Sequence, residues 1–229
     1  MTIESVIQDP LLDRLLADLH ARSDAQRDEI ARFAARCDRS SQPPSDDEIK
    51  AFRSDKFVAL DRDKAEFCYL TCRAIAARRV VEIGTSFGVS TLYLAAAVRD
   101  TVKASGGDGL VIGTEYEAAK ARAARANFAA ADLADFIELR VGDLRETLKD
   151  LHGPIDFALI DIWISMARPA IEMIHPQLRT GAIVVCDNTG IQRAQYADYL
   201  SFVDAPANGF RTMTLPFEGG FELSILCRT

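Results

Sequence analysis

The chain has 229 residues, 48% hydrophobic and 27% charged, the balance of an ordinary globular protein. A chain of this length buries roughly 70% or more of its unfolded surface, so folding requires neither disulfides nor a metal. Lys and Arg number 27 and Asp and Glu 34, a net charge of −7, which disfavours nucleic-acid binding by phosphate neutralisation and binding to anionic membrane surfaces.

The first ~40 residues read as helix by apolar periodicity. Asp9-Pro10 supplies an N-cap with proline in the first turn, and Leu11, Leu12, Leu15, Leu16 and Leu19 form one apolar stripe. A second helix is expected from Ser23 or Asp24, using Ile30, Phe33 and Cys37, until Ser40-Ser41-Gln42-Pro43-Pro44 breaks it. Ser45-Asp46-Asp47-Glu48 has capping-box spacing and opens a short helix. Another helix is predicted over Asp63–Ala77. Residues 1–55 are taken as a helical appendage and 56–229 as the main domain.

From Arg79 the rhythm changes. Strands are predicted at Val80–Ile83, Leu110–Thr114, Phe136–Val141, Ile155–Asp161 and Ala182–Cys186. Helices are predicted between them at Val89–Val98, Tyr116–Ala130 and Ser165–Gln177. This alternation means a parallel sheet with right-handed crossovers. Phe210–Pro216 and Phe221–Cys227, joined by Phe217-Glu218-Gly219-Gly220, read as a closing β-hairpin.

No apolar run approaches the ~20 residues of a transmembrane helix, and MTIESVIQDP lacks a signal peptide's basic start and apolar core. The cysteines Cys37, Cys68, Cys72, Cys186 and Cys227 include no CxxC pair and suit a reducing, cytoplasmic compartment. Three scattered histidines make a histidine-based metal site or triad a poor expectation.

The most informative stretch is Val80-Val81-Glu82-Ile83-Gly84-Thr85-Ser86-Phe87-Gly88-Val89-Ser90. A strand ends, glycines sit four apart and a helix begins, at the edge where doubly wound folds bind nucleotides. The dinucleotide pattern is G-x-G-x-x-G, whereas here the spacing is G-x-x-x-G with Glu82 two residues before the first glycine. A carboxylate there repels a pyrophosphate and suits a cationic ligand such as S-adenosylmethionine (SAM). Glu115 closes the second strand, where an acid accepts hydrogen bonds from ribose hydroxyls, and Asp143 follows the third, within reach of an adenine edge. Taken singly, each of these also reads as a turn glycine or a helix cap.

Asp161, Asp187 and Asn188 close the next two strands. Neighbouring strands lie about 4.8 Å apart, so three oxygen donors would meet near one point, and such a set suits Mg²⁺. The alternative is a polar turn at Asp187-Asn188 and a helix cap at Asp161.

From about Phe57 to Thr229 the chain resembles the class I SAM-dependent O-methyltransferases, in the branch of catechol and caffeoyl-CoA O-methyltransferases. The matching pieces are VVEIGTSFGVSTL, GTEYEAAKARAARANF, LRVGDLRETL, IDFALIDIW, GAIVVCDN and LPFEGGFELSIL. The resemblance implies a Rossmann-like α/β sheet of seven strands, the last antiparallel, with N-terminal helices. It implies methyl transfer from SAM to a hydroxyl of a small molecule, with a divalent metal assisting. It places Leu60, Glu82, Gly84, Thr85, Ser90, Glu115, Tyr116, Asp143, Asp161 and Trp163 at the cofactor, and Asp161, Asp187 and Asn188 on the metal. Asp161 is also the residue assigned to catalysis. Nucleic acid and membrane are not expected partners, and a homodimer agrees with family precedent.

The resemblance also places a catalytic lysine directly after Trp163, where this chain has Ile164. Either a metal acidifies the hydroxyl unaided, or another group takes the proton, with Tyr196 and Tyr199 as candidates, or the substrate is not a catechol. The competing readings are a SAM-binding protein that is metal-independent or has lost catechol-type activity, and an NAD-dependent oxidoreductase. The latter is disfavoured by the glycine spacing and the final hairpin.

Overall fold

The computed structural model describes residues 5–39, 44–191 and 193–228. They fall into two compact units, one running to Ala59 and one beginning at Leu60.

The first unit is helical. Asp9 Oδ1 accepts from Leu12 N at 3.2 Å, capping α1 (Pro10–Arg39), a single helix of 30 residues. No new helix starts at Ser23. The Ser23 hydroxyl instead accepts from Ala59 N at 3.1 Å, and Gln26 Oε1 accepts from Phe57 N at 2.9 Å. Ser23, which reads as a start signal, therefore joins Gln26 in binding the segment after α2 (Asp46–Arg53). The apolar stripe is narrower than expected: Leu12, Leu16 and Leu19 are buried while Leu11 is 76% exposed. The helix break expected at Ser40–Pro43 lies outside the described residues. The capping box forms, with Ser45 Oγ accepting from Glu48 N at 3.3 Å and Glu48 Oε2 accepting from Ser45 N at 2.9 Å.

The second unit opens with α3 (Arg62–Ala74), followed by β1 (Arg79–Ile83), α4 (Val89–Ser105), β2 (Leu110–Glu115), α5 (Ala118–Ala130) and β3 (Ile137–Val141). Then come α6 (Leu144–Thr147), β4 (Ile155–Ile160), α7 (Ile164–Ile174), β5 (Leu178–Asp187), α8 (Ala197–Asp204), β6 (Phe210–Leu215) and β7 (Phe221–Leu226). The strands form one seven-stranded sheet in the order β3-β2-β1-β4-β5-β7-β6. β7 runs antiparallel to both its neighbours, so the closing hairpin joins the sheet with β7 against β5 and β6 at the edge. This is the doubly wound sheet the sequence implied.

The central strands are apolar on both faces because helices cover both. Val80, Val81, Ile83, Phe157, Leu159, Val184 and Val185 are buried. Asp156 is the acid within β4, and it works at the amino end of the sheet. It accepts from the backbone N–H groups of Arg78 and Arg79, each at 2.8 Å, and from Arg179 Nε at 2.5 Å. Glu82, Glu115 and Asp187 stand toward the carboxyl ends of their strands. There the chain winds outward from β1 through β2 and β3 and returns to β4, and the crevice at such a reversal is the ligand site of open α/β sheets. All five cysteines are free thiols. Among the described residues, no helix is long and apolar enough to cross a membrane.

Candidate active site

The turn after β1 requires its glycines. Gly84 has φ +102°, and a Cβ there would lie 1.9 Å from the backbone carbonyl oxygen of Asp161. The β1 end is thus pressed against the β4 end with no room for a side chain. Gly88, at φ +82°, caps α4, and a Cβ there would meet the Phe128 ring at 2.4 Å. Gly84 N and Thr85 N both donate to Thr114 O, at 3.2 and 2.9 Å, tying the turn to β2.

Glu82 is fully buried beneath this turn. Its Oε2 accepts from the hydroxyls of Thr85, at 2.9 Å, and Thr91. Its Oε1 has no hydrogen-bond partner. Burial pushes the carboxyl above its ordinary range, against the pull of the Thr91, Ser90 and Thr85 hydroxyls. A buried carboxylate oxygen without a donor costs about 1–3 kcal/mol or more. A cationic N–H group would satisfy it, so the residues present fit the α-ammonium of SAM.

Glu115 accepts from Ser86 N and Glu117 N, each at 2.7 Å, and so links the β2 end to the glycine turn. A carboxylate has about four lone-pair sites, which leaves capacity for ribose hydroxyls. Asp143 acts locally as a cap. It accepts from Arg145 N at 2.8 Å and pairs with the Arg145 guanidinium at 3.0 Å, and the Arg145 backbone bond holds its pKa below the usual value. Leu60, Thr85 and Ser90 are buried, while Tyr116 and Trp163 are 59% and 42% exposed, presenting flat apolar surface near two strand ends. The structure thus joins Glu82, Thr85 and Ser90 in one cluster and sets Gly84 against Asp161. It does not bring Asp143 to that cluster.

At the ends of β4 and β5 the structure adds a group that the sequence reading missed. Lys64 Nζ lies 2.7 Å from Asp187 Oδ1 and 3.2 Å from Asp61 Oδ2, with its side chain 1% exposed. Burial lowers its pKa, but Asp187 and Asp61 outweigh burial and hold it above the ordinary lysine value. Asn188, at φ +60°, donates from Nδ2 to Asp187 Oδ2 at 2.9 Å. The hairpin closes one side: a Cβ on Gly219 would lie 2.7 Å from Asn188 Oδ1 and 3.7 Å from Lys64 Nζ. Burial, then the charges of Asp187 and Glu82, push Asp161 up to about 8. Burial also raises Asp187, with Lys64 opposing it.

As arranged, these side chains do not fit a divalent ion. Both oxygens of Asp187 already have donors, one of them an ammonium, so a divalent ion there would meet a positive charge. Among the described residues, no group of three or more His, Cys, Asp and Glu is placed to hold a metal. The tyrosines are no better placed as bases. Tyr196 and Tyr199 are buried in the core as an edge-on pair with centroids 6.4 Å apart, and burial raises both hydroxyl pKa values.

The signal for Lys64 was helical spacing. Lys64, Cys68 and Cys72 stand at i, i+4 and i+8 and are all buried, so a lysine occupies an apolar stripe. Such a residue is rarely buried without an acidic partner.

The family model described as a methyltransferase domain matches residues 81–189. A catechol O-methyltransferase of Mycobacterium tuberculosis is 36% identical over 132 residues, which is 57% of this chain and 57% of that protein. The match therefore spans little more than half the length of that curated relative. The crystal structure of cofactor-bound Rv0187 from MTB superposes with TM-score 0.70 at 27% identity, covering 99% of this chain and 94% of that one. An O-methyltransferase from Bacillus cereus in complex with SAH shares the fold, with TM-score 0.66 at 21% identity over 86% of this chain and 97% of that one.

Proposed function

We propose that this chain is a class I SAM-dependent methyltransferase that transfers a methyl group from SAM to a hydroxyl of a small molecule, a reading its sheet order and the match to a methyltransferase domain model support. The observation that carries the reading is the unpaired Oε1 of buried Glu82 beneath the glycine turn. The catechol O-methyltransferase among its relatives supports oxygen as the acceptor atom.

SAM, when bound, supplies a methyl made electrophilic by a sulfonium. The chain's own task is to hold cofactor and acceptor in line, since positioning and electrostatics supply most of the gain. Glu82 Oε1 accepts from the cofactor's ammonium. The missing side chain of Gly84 lets the β1 and β4 ends close on each other and so fixes the turn beneath the cofactor. Glu115, already fixed by two backbone N–H groups, accepts from the ribose hydroxyls. Leu60, Thr85 and Ser90 contribute the buried floor, and Tyr116 and Trp163 contribute flat surface. Asp143 would have to release Arg145 to reach the adenine edge. Asp161, at the β4 tip beside Gly84, is the hydrogen-bond partner for the acceptor hydroxyl. The Mg²⁺ implied by the family resemblance has no step in this scheme, because Lys64 already occupies Asp187.

Thermal unfolding tests the reading. Cofactor at 100 times its Kd stabilises by about 2.7 kcal/mol, or roughly 5–10 °C for a chain of this size. SAM and S-adenosylhomocysteine (SAH) should produce this shift and NAD should not. Glu82→Gln removes the charged acceptor and should weaken SAM binding about 10–100-fold. Undiminished affinity in that variant would sink the assignment of Glu82.

A further inference from the structure

We propose that Lys64 is the resident cation of this site, its ammonium holding against Asp187 the place that a divalent ion would otherwise take. The inference deepens the methyl-transfer reading and rests on it.

Three observations carry it. The ammonium bridges two carboxylates that come from different elements, at 2.7 Å to Asp187 and 3.2 Å to Asp61, in a side chain 1% exposed. It contacts Asp187 Oδ1 while Asn188 takes Oδ2, so a second cation at that carboxylate would face the positive charge of the ammonium. Finally, Ile164 stands where the family resemblance puts a lysine. The positive group absent from α7 thus enters the same cluster from α3, across 123 residues of chain.

The exchange has a chemical consequence. An ammonium has three N–H donors, and Asp187 and Asp61 account for two of those of Lys64. The ammonium is closed off from solvent, and its charge acts through the low-dielectric interior to stabilise the negative charge that grows on an acceptor oxygen at the strand ends. In the transfer, that oxygen forms its bond to the methyl carbon. The methyl–sulfur bond breaks with its electron pair left on sulfur, and the hydroxyl proton passes to water. Lys64 keeps its own protons throughout. A hydroxyl stabilised by a nearby charge needs no neighbour, whereas chelation of an ion calls for a pair of oxygens. The site therefore suits a lone hydroxyl as well as a vicinal diol.

The test is Mn²⁺ binding followed by electron paramagnetic resonance, on the full chain loaded with SAH. The wild type should leave Mn²⁺ free. Lys64→Met, which keeps the stem and removes the charge, should bind Mn²⁺ at least about tenfold more tightly. Lys64→Arg should behave as the wild type. Tight Mn²⁺ binding by the wild type overturns the proposal. So does a Lys64→Met variant that gains no Mn²⁺ affinity while keeping its thermal shift with SAH. Lys64→Gln serves if the methionine variant fails to fold. If SAH shifts none of the proteins, the methyl-transfer reading itself fails, a result distinct from either of these.

Discussion

Gly84→Ala will destabilise the protein by more than about 3 kcal/mol and abolish cofactor binding. The added Cβ would stand 1.9 Å from the Asp161 carbonyl oxygen, and the obstacle is backbone, with no flexible end to move aside. Asp161 N also donates to Ile83 O at 2.9 Å, so relieving the overlap means parting β1 from β4. Overpacking of this kind costs about 1–3 kcal/mol, and a left-handed φ adds about 1–2 kcal/mol for a residue with a Cβ. At about 2–4 °C per kcal/mol for a chain of this size, the melting temperature should fall by roughly 10 °C. Gly106→Ala is the control. Its φ is +67° with ψ −175°, a backbone nearly confined to glycine, but its Cβ would meet nothing within 4 Å, so only the backbone cost of about 1–3 kcal/mol applies. Thermal melts of both variants, with and without SAH, separate steric overlap from backbone strain. Equal melting temperatures for the two would show that the β1–β4 contact is not tight.

Stability will fall as the pH rises from about 5 to about 7.5, and Asp161→Asn will flatten much of that slope. Burial and the neighbouring charges of Asp187 and Glu82 push Asp161 up to about 8, whereas an unfolded aspartate releases its proton near about 3.9. Between those values the folded chain binds the extra proton, so each unit of rising pH removes up to about 1.4 kcal/mol. The contribution is fully present below about 4 and lost above about 8. Glu82 is shifted in the same direction, so the asparagine variant keeps a residual slope. Melting temperatures across this range should drop by roughly 3–5 °C per unit in the wild type. A wild-type melting temperature that climbs with pH would show Asp161 ionised in the folded chain.

Most of the sheet was legible because its signals are local. Strand, glycine turn and helix follow one another within a dozen residues around Gly84, and no other residue type fits that backbone. The capping box at Ser45 was legible for the same reason. Ser23 misled because its hydroxyl serves Ala59, 36 positions away, and a start signal read along the chain does not show where the oxygen goes. Asp143 also reads equally well as a ligand or a cap, and it caps α6. Lys64 was missed on the same ground. The neighbours of Asp161 along the chain include no lysine, whereas the one that reaches the cluster arrives from α3 through the fold. Its spacing with Cys68 and Cys72 marked it as internal, but only the sheet order shows which acids it meets.

The position of β7 between β5 and β6 bears on how the protein is made. During synthesis β5 emerges as the open edge of a growing parallel sheet, with Ile183, Val184 and Val185 along a border that has only β4 beside it. That border stays exposed until translation has passed Leu226, because β7 pairs Ile183 with Ile225 and Asp187 with Phe221. An unpaired apolar edge invites association with other nascent chains. The hairpin that walls the Asn188 loop is therefore also the element that ends the aggregation-prone interval, and holdase chaperones have the most to protect just before it appears.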